Sequence, residues 1–165
     1  MGLFTKPTFT PDVAAGDTMR IAAQDYAWLN NELRPYTKLE RPSLMPGQLE
    51  YLKVICAILL KQATVALGEA GDTYFDDYMT TILNRMQDVP DAELIVQVLQ
   101  TQELYDDVGY LMGLPMDELI AVATKRVAKA LPYSLSAKER DILVDFMVVR
   151  LPKLTEGIQK HNFEL

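Results

Sequence analysis

The sequence predicts an all-α protein: a single-domain bundle of six or seven helices with central helices near 49–67 and 139–151. Three observations lead there. Apolar residues recur at steps of three and four along most of the chain. No alternating stretch of strand length interrupts them. Prolines and glycines fall between the periodic segments, where they close one helix and open the next. A length of 165 residues suits one domain, and 49% hydrophobic with 24% charged residues supplies the apolar surface that folding needs.

Residues 1–10 read as an extended N-terminal arm and 11–165 as one all-helical domain. Leu3, Phe4 and Phe9 of the arm must pack on their own domain or on a neighbour. Thr10 can cap the first helix with Pro11 at its first position, although Gly16 weakens its opening. Met19, Ala22, Tyr26, Leu29 and Leu33 form its apolar stripe. "RPYTKLERPSLMPG" is a linker. The second helix, about 46–68, is apolar on nearly every side, the pattern of a helix buried within a bundle. "GEAGD" ends it. Asp72 can cap a third helix over 73–87 with Phe75, Tyr78, Ile82 and Met86 turned inward.

Pro90-Asp91 opens a fourth helical stretch, continuous or broken near Thr101, that ends with Tyr105, Val108, Leu111 and Met112 on the inner side. Gly113 and Pro115 stop it and start a fifth helix over 115–130. Ser136 and Glu139 have capping-box spacing ahead of "RDILVDFMVVRL". Pro152 either kinks that helix or begins a last short one through Gln159.

Charge is unevenly placed. Residues 54–124 hold two basic side chains, Lys61 and Arg85, against twelve acidic ones, so this segment carries −10 of a chain whose net charge is −7. Such a surface repels phosphate backbones and anionic lipid and attracts basic proteins. The cluster in "TKRVAKAL", Lys125, Arg126 and Lys129, reads as a solvated helix face. A single cysteine permits no internal disulfide, which fits a reducing compartment. No signal peptide stands out and no apolar run approaches the roughly 20 residues that cross a bilayer. The expected setting is the cytoplasm, with no membrane and no direct nucleic-acid partner.

Catalytic chemistries fare poorly. Cys56 lies in the most apolar segment, where a thiol is inert. His161 is the only histidine and stands five residues from the end as an exposed side chain, which rules against a triad and a zinc site. No Gly-rich phosphate loop occurs. Gly109 and Gly113 have the spacing of a close helix approach. No motif assigns the chain to a known family.

The carboxylates remain. "TYFDDYM" and "ELYDDVG" each place two aspartates after an aromatic. The inward stripes turn Asp76, Asp77, Glu103, Asp106 and Asp107 outward, which favours an acidic docking surface over residues 69–118. The expected function is therefore a non-catalytic helical interaction module, an adaptor, assembly or structural component. It needs no cofactor, and its partner is a basic protein or a second copy in a homo-oligomer. The alternative is a divalent-metal-dependent hydrolase of nucleotides or diphosphates using Glu69, Asp72, Glu103 and Asp106, since hard cations take oxygen ligands. A third reading, a carrier of apolar ligands between the central helices, needs a large dry pocket.

Overall fold

A computed structural model of the chain describes residues 7–33, 46–87 and 101–165. The fold is all-α. In chain order it comprises α1 (Pro11–Leu33), α2 (Pro46–Leu67), a 3-10 turn (Gly68–Ala70), α3 (Gly71–Gln87), α4 (Thr101–Met112), α5 (Met116–Ala130) and α6 (Ala137–Gln159). Two short strands, β1 (Thr8–Phe9) and β2 (Asn162–Phe163), lie outside them. α2 and α3 follow each other through the 3-10 turn alone, so the described residues trace five separate helical stretches. The expected count of six or seven is not matched. The linker 34–45, Leu3, Phe4, and the stretch opening at Pro90 as far as residue 100 lie outside the described residues.

α2 is the centre. Every residue from Tyr51 to Leu60 is buried, because α1, α3, α4, α5 and α6 all pack on it. By length and composition, α2 and its continuation are apolar enough to cross a bilayer, contrary to expectation. Here the surrounding helices cover that surface.

The second expected central helix is corrected. α6 buries one stripe, Leu143, Met147, Leu151, Leu154 and Ile158, and leaves Val144, Val148 and Val149 between 41% and 54% exposed. The run "ILVDFMVV" is apolar on all sides, but only one side meets neighbours, so composition overstated its burial. α6 runs through Pro152 to Gln159. Its capping box is formed: Ser136 Oγ accepts from the Glu139 amide at 3.2 Å, and Glu139 Oε1 accepts from the Ser136 amide at 3.1 Å.

α2 and α3 fold back on each other as a hairpin, which brings Tyr78 beside Cys56. The Tyr78 hydroxyl lies 2.8 Å from Thr18 Oγ1 and 3.3 Å from Cys56 Sγ, joining α1, α2 and α3 at one point. Two glycines make the corner. Gly68 takes a left-handed φ of 57°, which costs an L side chain energy. At Gly71 a Cβ would stand 3.2 Å from the Thr64 Cα, a backbone atom of the same hairpin. α3 therefore starts at Gly71, two residues earlier than its charges suggested, and Asp72 lies in its first turn rather than capping it. Gly71→Ala is expected to destabilise by about 1–3 kcal/mol through overpacking. A thermal midpoint equal to wild type would remove the close approach from the account.

The chain's ends are tied together. β1 and β2 pair in parallel, Thr8 opposite Asn162 and Phe9 opposite Phe163. The Asn162 amide donates to Pro7 O at 2.9 Å, and the Tyr74 hydroxyl donates to Phe9 O at 3.0 Å. Phe9 is buried and its ring stacks on His161 with centroids 3.7 Å apart. The reading of His161 as an exposed terminal side chain is thus corrected: it is half-buried, with Nδ1 3.0 Å from Gly157 O.

Candidate functional site: an acidic face and the charge cluster beside it

α3 turns Tyr74, Tyr78, Met79, Ile82 and Met86 into the core, with Phe75 at the edge. Helical geometry then sends Asp72, Asp76 and Asp77 to the solvent side, where all three are exposed. α4 buries Leu104, Val108 and Leu111, which leaves Glu103, Asp106 and Tyr110 exposed. The two segments meet. The Phe75 and Tyr105 rings stand edge to face, centroids 5.6 Å apart, so each aromatic ahead of its aspartates packs on the other. Asp72, Asp76, Asp77 and Glu103 make no ion pair among the described residues.

Asp107 departs from the expectation. It stands next to buried Val108 on the edge of α4 that faces α2 and α5, not on the outer face. Its Oδ2 is 3.0 Å from Lys53 Nζ and its Oδ1 is 2.5 Å from the Arg126 guanidinium. Lys53 is only 7% exposed and also reaches Glu50 Oε1 at 3.2 Å. Arg126 lies 3.9 Å from Glu50 Oε2 and over the Tyr110 ring. Two anions and two cations thus neutralise one another where α2, α4 and α5 converge. Arg126 is correspondingly no part of a solvated basic face. A lone lysine in "LEYLKVICAILL" was the signal: on a helix buried all round, its charge requires a carboxylate.

Burial alone pushes the Asp107 carboxyl up, but hydrogen bonds from Arg126 and Lys53, with their charges, outweigh it and hold it below the ordinary range. A carboxyl held low contributes stability above its unfolded value, and that contribution is lost as pH falls through the folded one. Acidification below about pH 4, the unfolded aspartate value, is expected to lower the thermal midpoint more steeply in wild type than in Asp107→Asn. Parallel curves would remove Asp107 from the acid response.

A second junction joins α1, α2 and α6. Asp25 Oδ2 accepts from the Tyr51 hydroxyl at 2.6 Å and from Arg150 Nε at 2.7 Å. Burial, then the Asp25 charge, pushes the Tyr51 hydroxyl far up.

The geometry gives the other chemistries little. Among the described residues no group of three or more His, Cys, Asp or Glu is placed to hold a metal ion, so Glu69, Asp72, Glu103 and Asp106 do not converge as the hydrolase reading requires. Burial pushes the Cys56 thiol up to about 12, and its Sγ lies against the Tyr78 hydroxyl. Nothing lies within 4 Å of a Cβ placed at Gly109, so its spacing to Gly113 marks no close helix approach. A pocket of about 190 Å³ lies between α2 and the α4–α5 corner, lined by Ala57, Ile58, Leu111 and Leu119. That is below the size of ordinary ligand sites and does not support a lipid-sized carrier. Comparison with protein families, curated proteins and solved structures gives no match.

Proposed function

We propose that the protein is a non-catalytic interaction module that docks a basic protein partner on the acidic face of α3 and α4. Asp76, Asp77, Glu103 and Asp106 are its centre and Asp72 its flank. Asp107 belongs to the scaffold beneath it. In this reading the module is a bundle of six or seven helices that works in the cytoplasm as an adaptor or assembly component.

The observation that supports it most is the Phe75–Tyr105 contact, which brings together the two segments whose aspartates are exposed. Asp72, Asp76, Asp77 and Glu103, which make no ion pair among the described residues, raise the negative potential outside them and speed association with a basic surface. They cost the folded state self-repulsion, so a partner that neutralises them gains from it. Asp76→Lys with Asp77→Lys is expected to cut capture of the partner from the native lysate at least tenfold while the thermal midpoint stays within a few degrees. Undiminished capture by the folded variant would overturn the reading.

A further inference from the structure

A groove of about 510 Å³ lies between the last turns of α5, the 131–136 connection and the first turn of α6. Leu131, Leu135 and Pro132 contribute to its lining, and its charged lining residues are Lys125, Lys129 and Arg140, with no acid among them. In a chain of 23 acidic and 16 basic residues that local excess is notable. Of the five described arginines, Arg20, Arg85, Arg126 and Arg150 each hold a carboxylate, whereas Arg140 holds none among the described residues. Lys125 and Lys129 likewise make no ion pair there. Arg140 also stands in the first turn of α6, the end of a helix where a cation is disfavoured. The capping box already satisfies the Ser136 and Glu139 amides, so the groove's attraction comes from its side chains. A local rule broken with no structural compensation is a mark of use.

We infer that this groove receives the acidic face of α3 from a second copy of the chain. The inference rests on the docking reading above and names the partner. Lys125 and Lys129 are one turn apart on α5, and Asp72 and Asp76 are one turn apart on α3, each pair spaced about 6 Å along its axis. Two helices laid side by side therefore match charge for charge, and Asp77 is left to meet Arg140. α3 packs mainly on α1 and α2, while the groove is built by α5 and α6, so one copy offers both surfaces from different helices. Such a contact is head-to-tail. It does not close on itself in a dimer and leads to rings or open chains. The charges are exposed, so the association is weak and salt-sensitive.

Sedimentation of the full chain tests this. Wild type is expected to grow beyond a dimer with concentration at about 50 mM salt and to return to monomer near 0.5 M, where screening is short-ranged. Lys125→Glu/Lys129→Glu/Arg140→Glu and Asp72→Lys/Asp76→Lys/Asp77→Lys should each lower the association constant at least tenfold. Mixed one to one, they should assemble again, because the native face of one meets the native groove of the other and the two reversed surfaces, Lys on Glu, are complementary as well. Gln at the three groove positions should weaken assembly in the same direction, and serves if the Glu variant fails to fold. A monomeric wild type, a groove variant that assembles normally, or a mixture that stays monomeric would overturn the proposal. If wild type is monomeric while reversal at Asp76 and Asp77 still abolishes lysate capture, self-association falls and the docking face stands.

Discussion

Asp107→Ala is expected to destabilise the protein by about 3 kcal/mol, the range for removing one member of a buried ion pair. The cost comes from what is left behind. Lys53, nearly buried on the central helix, loses its 3.0 Å partner and keeps only Glu50 at 3.2 Å. Arg126 loses its closest carboxylate and retains one at 3.9 Å. Lys53→Met combined with Asp107→Leu should recover most of the loss, because no orphaned ammonium remains and Glu50 and Arg126 are left to pair with each other. Urea denaturation of the two variants checks both statements. A single-variant loss below about 1 kcal/mol, the scale of an exposed pair, would mean the cluster is a surface network.

Phe9→Ala is expected to cost a similar amount, about 3–5 kcal/mol, as for other buried phenylalanines. The ring fills the space between His161 and Phe163, with centroids 3.7 Å and 6.0 Å away. Its loss should also free the strand pairing of residues 7–9 with 162–164. Hydrogen exchange at the Asn162 and Glu164 amides, which donate to Pro7 O and Phe9 O, should then quicken relative to the core of α2. An unchanged rate at those two amides would show that the backbone pairing holds without the ring.

Much of the fold is legible in the residues. The steps of three and four, the proline and glycine punctuation and the Ser136 capping box place α2, α5 and the start of α6 to within a residue or two, while the weak opening of α1 at Gly16 and the course of α6 past Pro152 are decided only in the fold. Burial is harder to read. α2 and the run from Ile142 to Val149 in α6 are both rich in apolar residues, yet Tyr51–Leu60 of α2 is wrapped on all sides and the α6 run on one, since burial depends on how many neighbours a helix meets. Phe75 and Tyr105, taken as inward, lie at the edge, and their neighbours Tyr74 and Leu104 are the buried ones. A shift of one position turns a side chain by about 100° on a helix, enough to exchange core for rim.

The site was partly legible for the same reason. Asp76, Asp77, Glu103 and Asp106 face outward as helical projection requires. Asp107 is one position beyond Asp106, and that one step carries it to the seam with α2 and α5. No local pattern pairs it with Lys53 or Arg126, which lie 54 and 19 residues away in sequence. The meeting of the two aromatic–aspartate segments is likewise a long-range event. Phe75 and Tyr105 give no sign of it until the chain folds.

The central claim is that local charge on one face, not net charge, recruits the partner. The direct measurement is the affinity of the purified, captured partner for two variants with the same change in net charge. One carries Asp76→Lys and Asp77→Lys. The other carries Asp141→Lys and Asp145→Lys at exposed positions on α6. The account predicts that the first loses at least tenfold in affinity, with most of the salt dependence gone, while the second stays within about twofold of wild type. Equal losses in both, or none in the first, would contradict it.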